Sequence, residues 1–291
     1  MFAAMQPVAP GNPPGPASRP ATPDPSASQD EVRGQTPQAE QVSFGFREVP
    51  AEEKAGLVRG VFDSVAGRYD LMNDLMSGGI HRLWKKAMID WLDPRPGQTV
   101  LDVAGGTGDI ALRILERWGG PGKAAAAGGR ILVCDLTPAM LARGRDRAID
   151  RGHLGGIEWI AGNAEALPLE AMSVDAYTIA FGLRNVTHID RALAEARRVL
   201  KPGGRFLCLE FSHVVLPMLD RLYDLYSFSV LPTLGRVVAK DEASYRYLAE
   251  SIRRFPRQED LVAMIEAAGL AQVRYRNLSG GIAALHSAWR I

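Results

Sequence analysis

The sequence predicts an α/β fold: a mostly parallel, seven-stranded sheet with helices on both faces and an antiparallel hairpin at its C-terminal end. Three observations carry this. Short apolar runs alternate with helical periods from Thr99 onward. The runs are almost continuously apolar, as expected of strands buried on both faces. The first run leads into a glycine-rich turn, Gly105-Gly106-Thr107-Gly108, of the kind that lets a backbone come close to a ligand.

Taken in chain order, residues 1–41 hold nine of the 19 prolines and neither Trp nor Tyr. Such a segment has too little apolar surface to offset its ordering entropy, which predicts a disordered Pro-rich tail. From Glu52 to Trp91 the spacing is helical, with Leu57, Val58, Val61, Phe62 and Val65 recurring at three and four. A second helix is expected over His81–Leu92. This leader, residues 42–98, stands outside the sheet and is placed to cap a ligand site. The main domain is 99–291. Its strands are "TVLDVA", "RILVCD", "IEWIA", "VDAYTIAFG" and "RFLCLEF". Helices are expected at Asp109–Trp118, at Pro138–Arg151 with proline in the first turn, and at His188–Leu200, ended by "KPGG". Right-handed crossovers then bring the loops after these strands to one ligand-binding edge. Gly119–Gly129 reads as a tolerated loop insertion. Leu216–Val238 reads as helical with an interruption at Pro232, and Ser244–Phe255 and Gln258–Ala268 as two more helices. "AQVRYRNL" and "IAALHSAWRI" form the final hairpin about "SGG".

Composition removes several function classes. The 291 residues carry a net charge of +1, which gives no field suited to nucleic acid. Beyond the first 18 residues, the longest stretch without Asp, Glu, Lys or Arg is Asn277–Trp289, too short to span a bilayer. No secretory leader is visible, so a cytoplasmic protein is expected. Cys134 and Cys208 lie in apolar runs and read as core residues in a reducing compartment. No metal is expected.

The glycine turn suits either a dinucleotide or S-adenosylmethionine. Gly106-x-Gly108 fits the dinucleotide template, with Ala111 at its third position. Asp102, just before the turn, discriminates. A carboxylate there repels a pyrophosphate by roughly 1 kcal/mol at contact even in water, whereas it favours a ligand carrying a sulfonium and an ammonium. Asp135, ending the second strand, can accept both ribose hydroxyls of an adenosine. Asn163 and Ala164, in "GNAEALP", are placed to meet the adenine edge. Structural alternatives are a turn-capping role for Asp102 and helix capping for Asp135.

In order, "VLDVAGGTGD", "CDLTPAML", "GNAEALP" and "LKPGGRFLCLEFS" resemble a Rossmann-like, class I S-adenosylmethionine-dependent methyltransferase. More narrowly, "VFDSVAGRYDLMNDLMSGGIHRLWK", "FGLRNV" and "SYRYLAESIRRFP" resemble the ubiquinone/menaquinone biosynthesis C-methyltransferase family. The likeness covers about Phe44–Ile291 except the Gly/Ala insertion. It implies methylation of a ring carbon of a prenylated benzoquinol, 2-methoxy-6-polyprenyl-1,4-benzoquinol, and extends to demethylmenaquinol. S-adenosylmethionine is the implied methyl donor. The implied cofactor positions are Asp102, Gly105, Gly106, Thr107, Gly108, Asp135, Leu136, Asn163 and Ala164, with Ala180 where bacterial relatives commonly have Ser.

Such chemistry needs the ring carbon held in line with the methyl and sulfur, a stabilised phenolate, and loss of the ring proton. Arg184 and Asn185 follow the fourth strand on the ligand edge. Arg184, always protonated, suits phenolate stabilisation or the placing of a water. Asn185 suits a quinol oxygen. Their alternative is a salt bridge plus a turn amide. Tyr69 and Asp70 lie in the leader, where Asp70 suits proton acceptance or helix capping. His81 and His188 read as structural. Tyr223, Tyr226, Phe228 and Tyr245 suit an aromatic wall. A polyprenyl substrate resides in a bilayer, so transient association with the inner-membrane surface or a quinone-biosynthesis complex is expected, through Leu216–Val238; a homodimer is compatible with the sequence. Competing functions are O-methylation of another phenolic substrate and noncatalytic cofactor binding in an assembly protein.

Overall fold

The structure, a computed structural model, describes residues 40–65, 74, 77–215 and 242–291. The expected helical segment Leu216–Val238, with Tyr223, Tyr226 and Phe228, lies outside the described residues, as do the tail up to residue 39 and the pair Tyr69 and Asp70.

The described residues all fall in one compact unit. It opens with a two-stranded antiparallel hairpin, β1 (Gln41–Phe44) and β2 (Arg47–Pro50), turning at Gly45. The sequence reading missed this hairpin, because four-residue strands are too short for a period of two to stand out. Next come α1 (Ala51–Val65) and α2 (His81–Leu92), at the expected positions. The main domain continues as β3 (Thr99–Val103), α3 (Asp109–Arg117), α4 (Pro121–Ala126), β4 (Arg130–Asp135), α5 (Pro138–Asp150), β5 (Ile157–Ala161) and β6 (Val174–Ala180). After it follow α6 (Ile189–Val199), β7 (Leu200–Phe211), α7 (Glu242–Arg254), α8 (Gln258–Ala267), β8 (Ala271–Leu278) and β9 (Ala283–Trp289).

Two boundaries depart from expectation. The Gly/Ala stretch is not wholly loop: Pro121 starts the short helix α4, and its alanine run buries Ala124 in the core, in keeping with alanine's helix propensity. "KPGG" does not only end α6. It lies within β7, whose pairing with β6 breaks register between Val174 and Ala176.

Seven strands form one sheet in the order β5-β4-β3-β6-β7-β9-β8. Pairs from β5 to β7 are parallel; β7–β9 and β9–β8 are antiparallel. Successive strand residues feed opposite cores. Val100, Ile131, Val133, Leu207 and Leu209 pack with Trp84 and Met88 of α2 and Ile110 and Ile114 of α3. Leu101, Val103, Leu132, Ile179 and Phe206 pack with Leu193 of α6 and Leu261 and Ile265 of α8. Both faces are thus dry, which explains the unbroken apolar runs. Cys134 and Cys208 are free and buried in the second core. The strand order reverses between β3 and β6, and their carboxyl ends open a crevice there.

Trp159 of β5 fixes the glycine turn against α5. Its ring occupies the space over Gly108, where a Cβ would come within 2.5 Å of it, and a Cβ on Gly144 of α5 would overlap it. Gly144→Ala is therefore expected to destabilise the fold by about 1–3 kcal/mol and to weaken cofactor binding by displacing the ring toward Gly108. Thermal unfolding and calorimetric titration check this; an unchanged midpoint and affinity would refute it.

Candidate active site

A cavity lies at the strand switch, where ligands of open α/β sheets bind. Ala55, Val58 and Phe62 of α1 form one wall. Ala104 and Gly106 after β3, Asp135, Leu136 and Met140 around β4, and Asn163 and Ala164 after β5 form the floor. Phe181, Gly182 and Asn185 after β6 close it. Four strand ends and the leader helix thus converge, as the crossovers require. Ala104 (φ 49°) and Phe181 (φ 58°) both take left-handed backbone on the cavity wall. Each such residue costs of order 1 kcal/mol and persists only where its surroundings hold it.

Asp135 binds the glycine turn. Gly106 N–H donates to its Oδ2 at 2.9 Å and Thr137 N–H to its Oδ1 at 2.8 Å. Burial nevertheless raises its pKa. Thr137 precedes Pro138 at the start of α5, so Asp135 orders that turn as well as lining the cavity.

Asp102 sits beneath the turn rather than on the cavity wall. Its carboxylate is 1% exposed. Thr178 Oγ1 donates to Oδ1 at 2.8 Å, while Oδ2 has no partner among the described residues. A Cβ on Gly105 would lie 2.7 Å from that oxygen and 2.8 Å from Val133 Cγ1, so glycine is required there. Burial pushes the Asp102 carboxyl up to about 7, against the pull of Thr178 and Lys85. An orphaned acid of this kind fits a cationic ligand above the turn. Leu136, Met140 and Ala164 offer apolar surface for a neutral ring, and Asp135 an acceptor for sugar hydroxyls, so the residues fit S-adenosylmethionine.

Other predicted positions are placed differently. The Thr107 hydroxyl accepts from Arg147 of α5 at 3.0 Å and lies off the cavity wall. Ala180 ends β6 and packs against the core, pairing with Leu209. Asn163 Oδ1 accepts from Glu165 N–H at 3.0 Å, which shapes the loop it lines.

Arg184 and Asn185, adjacent in a 3-10 turn, face different surroundings. The Arg184 side chain is 1% exposed, and its Nη1 donates to Glu210 Oε1 and to Phe181 O, each at 2.6 Å. The Arg184 backbone N–H donates to Glu210 Oε2 at 3.2 Å. Asn185 lines the cavity; Tyr247 O–H donates to its Oδ1 at 3.1 Å, and its Nδ2 has no partner among the described residues. Glu210 went unread in the sequence, although an acid inside "LCLEF" signals a buried charge in need of a cation.

His81 is held by Ser77 at 3.0 Å, and burial, assisted by Lys85, pushes its pKa down to about 4, which leaves it neutral. His188 stands at the start of α6, 3.6 Å from Glu40. Lys85 bridges α2 to Asp109 at the start of α3 at 2.8 Å. Burial pushes Asp109 up, but Lys85 and Arg113 outweigh it and hold its carboxyl low. Tyr245 is buried in the core shared with α7.

Two outcomes follow. The Asp102 pKa is raised in the folded state from an ordinary 3.8 to about 7. Folded protein then keeps a proton that the unfolded chain releases, and stability falls as pH rises through that window. Asp102→Asn is expected to flatten this loss, seen by thermal unfolding of cofactor-free protein at pH 5 and pH 8; an identical loss in the variant would clear Asp102 of the effect. Arg184→Ala leaves Glu210 buried without its cation and is expected to cost about 3–5 kcal/mol. Denaturant unfolding measures it, and a cost under about 1 kcal/mol would show that the pair is not holding the turn.

Comparison with known proteins places this geometry. The profile of the ubiE/COQ5 methyltransferase family matches residues 47–290. A ubiquinone/menaquinone biosynthesis C-methyltransferase UbiE of Paracoccus denitrificans is 58% identical over 248 residues, covering 85% of this chain and 96% of the relative. Its counterpart from Brucella abortus is 58% identical over 251 residues, covering 86% and 91%. Among solved structures, a SAM-dependent methyltransferase of Thermotoga maritima superposes with a TM-score of 0.55 at 18% identity, covering 80% of this chain and 99% of that one. One from Aquifex aeolicus gives 0.50 at 16% identity, covering 71% and 89%. These two share the fold, a class I methyltransferase fold, and the profile and the close relatives settle the rest: the chain belongs to the ubiE/COQ5 methyltransferase family.

Proposed function

We propose that the chain transfers a methyl group from S-adenosylmethionine to a ring carbon of a prenylated benzoquinol, 2-methoxy-6-polyprenyl-1,4-benzoquinol, and of demethylmenaquinol, in ubiquinone and menaquinone biosynthesis. The observation that supports this best is Asn185: a buried amide whose N–H₂ group has no partner among the described residues, on the wall of the same apolar cavity that carries Asp135.

When bound, S-adenosylmethionine supplies an electrophilic methyl group on a sulfonium. The chain's residues do the rest. Asp135 accepts ribose hydroxyls, while Leu136, Met140 and Ala164 give the adenine an apolar bed. Asp102, as the carboxylate, offsets positive charge above the turn. Asn185 Nδ2 donates to a quinol oxygen and stabilises the phenolate that makes the adjacent ring carbon nucleophilic. Arg184 adds positive potential from behind the turn, with its Nη1 already committed to Glu210 and Phe181. Val58, Phe62 and Phe181 give the cavity apolar walls, whose low dielectric strengthens these interactions. Tyr69 and Asp70 remain proposed site residues, Asp70 as the proton acceptor for the ring. A bilayer-resident substrate also calls for transient association with a membrane surface or biosynthetic complex; no helix among the described residues is long and apolar enough to cross a membrane.

The test is incubation with methyl-labelled cofactor and a short-chain methoxy-prenyl benzoquinol kept reduced, with and without sedimentable lipid vesicles. The expected result is label on a ring carbon and partial pelleting with vesicles. Label on oxygen would favour the phenolic O-methyltransferase reading, cofactor binding without transfer the noncatalytic one, and absence from the pellet would remove membrane association.

A further inference from the structure

Tyr247 belongs to the "SYRYLAESI" stretch, and its ring is held far from the cofactor turn. It projects from α7 and stacks on Phe44 of β1, with centroids 4.2 Å apart and planes inclined by 20°. Both rings are buried. The hydroxyl reaches across to the turn after β6 and meets Asn185 Oδ1 at 3.1 Å. Asn185 therefore stands between two groups: Tyr247 on one side and the cavity on the other.

We propose that Tyr247 is a positioning residue for methyl transfer, its O–H fixing the Asn185 amide so that Nδ2, rather than Oδ1, is presented to the quinol oxygen. This rests on the reading that the cavity takes a quinol. An amide can turn over and exchange its donor and acceptor ends. Presenting Oδ1 to a phenolate would set two acceptors against each other, so the direction of this one hydrogen bond decides whether Asn185 helps or hinders. The contact itself carries that direction, with the Tyr247 O–H donating to Asn185 Oδ1 at 3.1 Å. Burial raises the Tyr247 pKa and so keeps the proton that makes the donation, while Arg184 and Glu210 act on the phenol in opposite senses. The Phe44 stack holds the ring in place, so the N-terminal hairpin takes part in setting the amide.

Tyr247→Phe removes the hydroxyl and keeps the stacked ring. Turnover of the reduced benzoquinol is measured per cofactor-binding site, so any loss of folded protein cancels. The expected result is a kcat lowered about tenfold, with the cofactor dissociation constant unchanged. A double-mutant cycle with Asn185→Ala separates positioning from general structure: once the amide is gone, Y247F should have no further effect on kcat. Native kcat in Y247F, or an equal loss in the N185A background, overturns the assignment. Absence of ring methylation by the unaltered protein overturns the quinol reading itself, a result distinct from either.

Discussion

Thr178 Oγ1 and Asp102 Oδ1 are joined by a hydrogen bond of 2.8 Å across β3 and β6, where the order of strands reverses. Thr178 and Asp102 are direct partners in the parallel register. The bond thus pins the neighbouring strand ends from which the cavity opens. It satisfies one oxygen of a fully buried acid and leaves the other beneath the glycine turn. The turn can lie this close only because position 105 lacks a side chain. Strand pairing, loop composition and charge are in this way one constraint: an acid that is costly to bury is kept where a cationic ligand can compensate it.

Around this centre the protein divides its polar groups by task. Asp135 is tied to backbone N–H groups of two loops, so its position is set before any ligand arrives. The Arg184–Glu210 pair is sealed in the core and shapes the 3-10 turn from within. Asn185, one residue further on, lines the cavity, and its Nδ2 has no partner among the described residues. Arginine and asparagine adjacent in sequence therefore stand in different surroundings, one sealed against a carboxylate, the other on the cavity wall.

The leader is part of the site and not an appendage to it. Successive faces of α1 serve different neighbours: Ala55, Val58 and Phe62 line the cavity, while Lys54 donates to Val186 O at 3.0 Å and ties the helix to the segment after the 3-10 turn. Phe44 in β1 reaches Tyr247 in α7. The cavity is accordingly walled by α1, while α7 reaches its lining through the Tyr247 hydroxyl on Asn185.

Much of this was legible in the chain itself. Apolar runs buried on two faces, punctuated by glycine and capped helices, determined the parallel sheet and the terminal hairpin, because those signals are local and repeat at fixed periods. The same locality marked the turn at 105–108, Asp102 and Asp135. What the chain could not declare is which polar side chains meet across long separations. Glu210 lies 26 positions from Arg184, and Tyr247 62 from Asn185; no periodicity links them. The Thr107 hydroxyl accepts from Arg147, 40 positions away, a pairing of the same kind. The sequence by itself determined the sheet, the cofactor edge and the family likeness, since each rests on neighbouring residues. Only the tertiary structure decided that Arg184 is buried against a carboxylate while Asn185 meets Tyr247 and lines the cavity, because burial and pairing exist only once distant segments have packed.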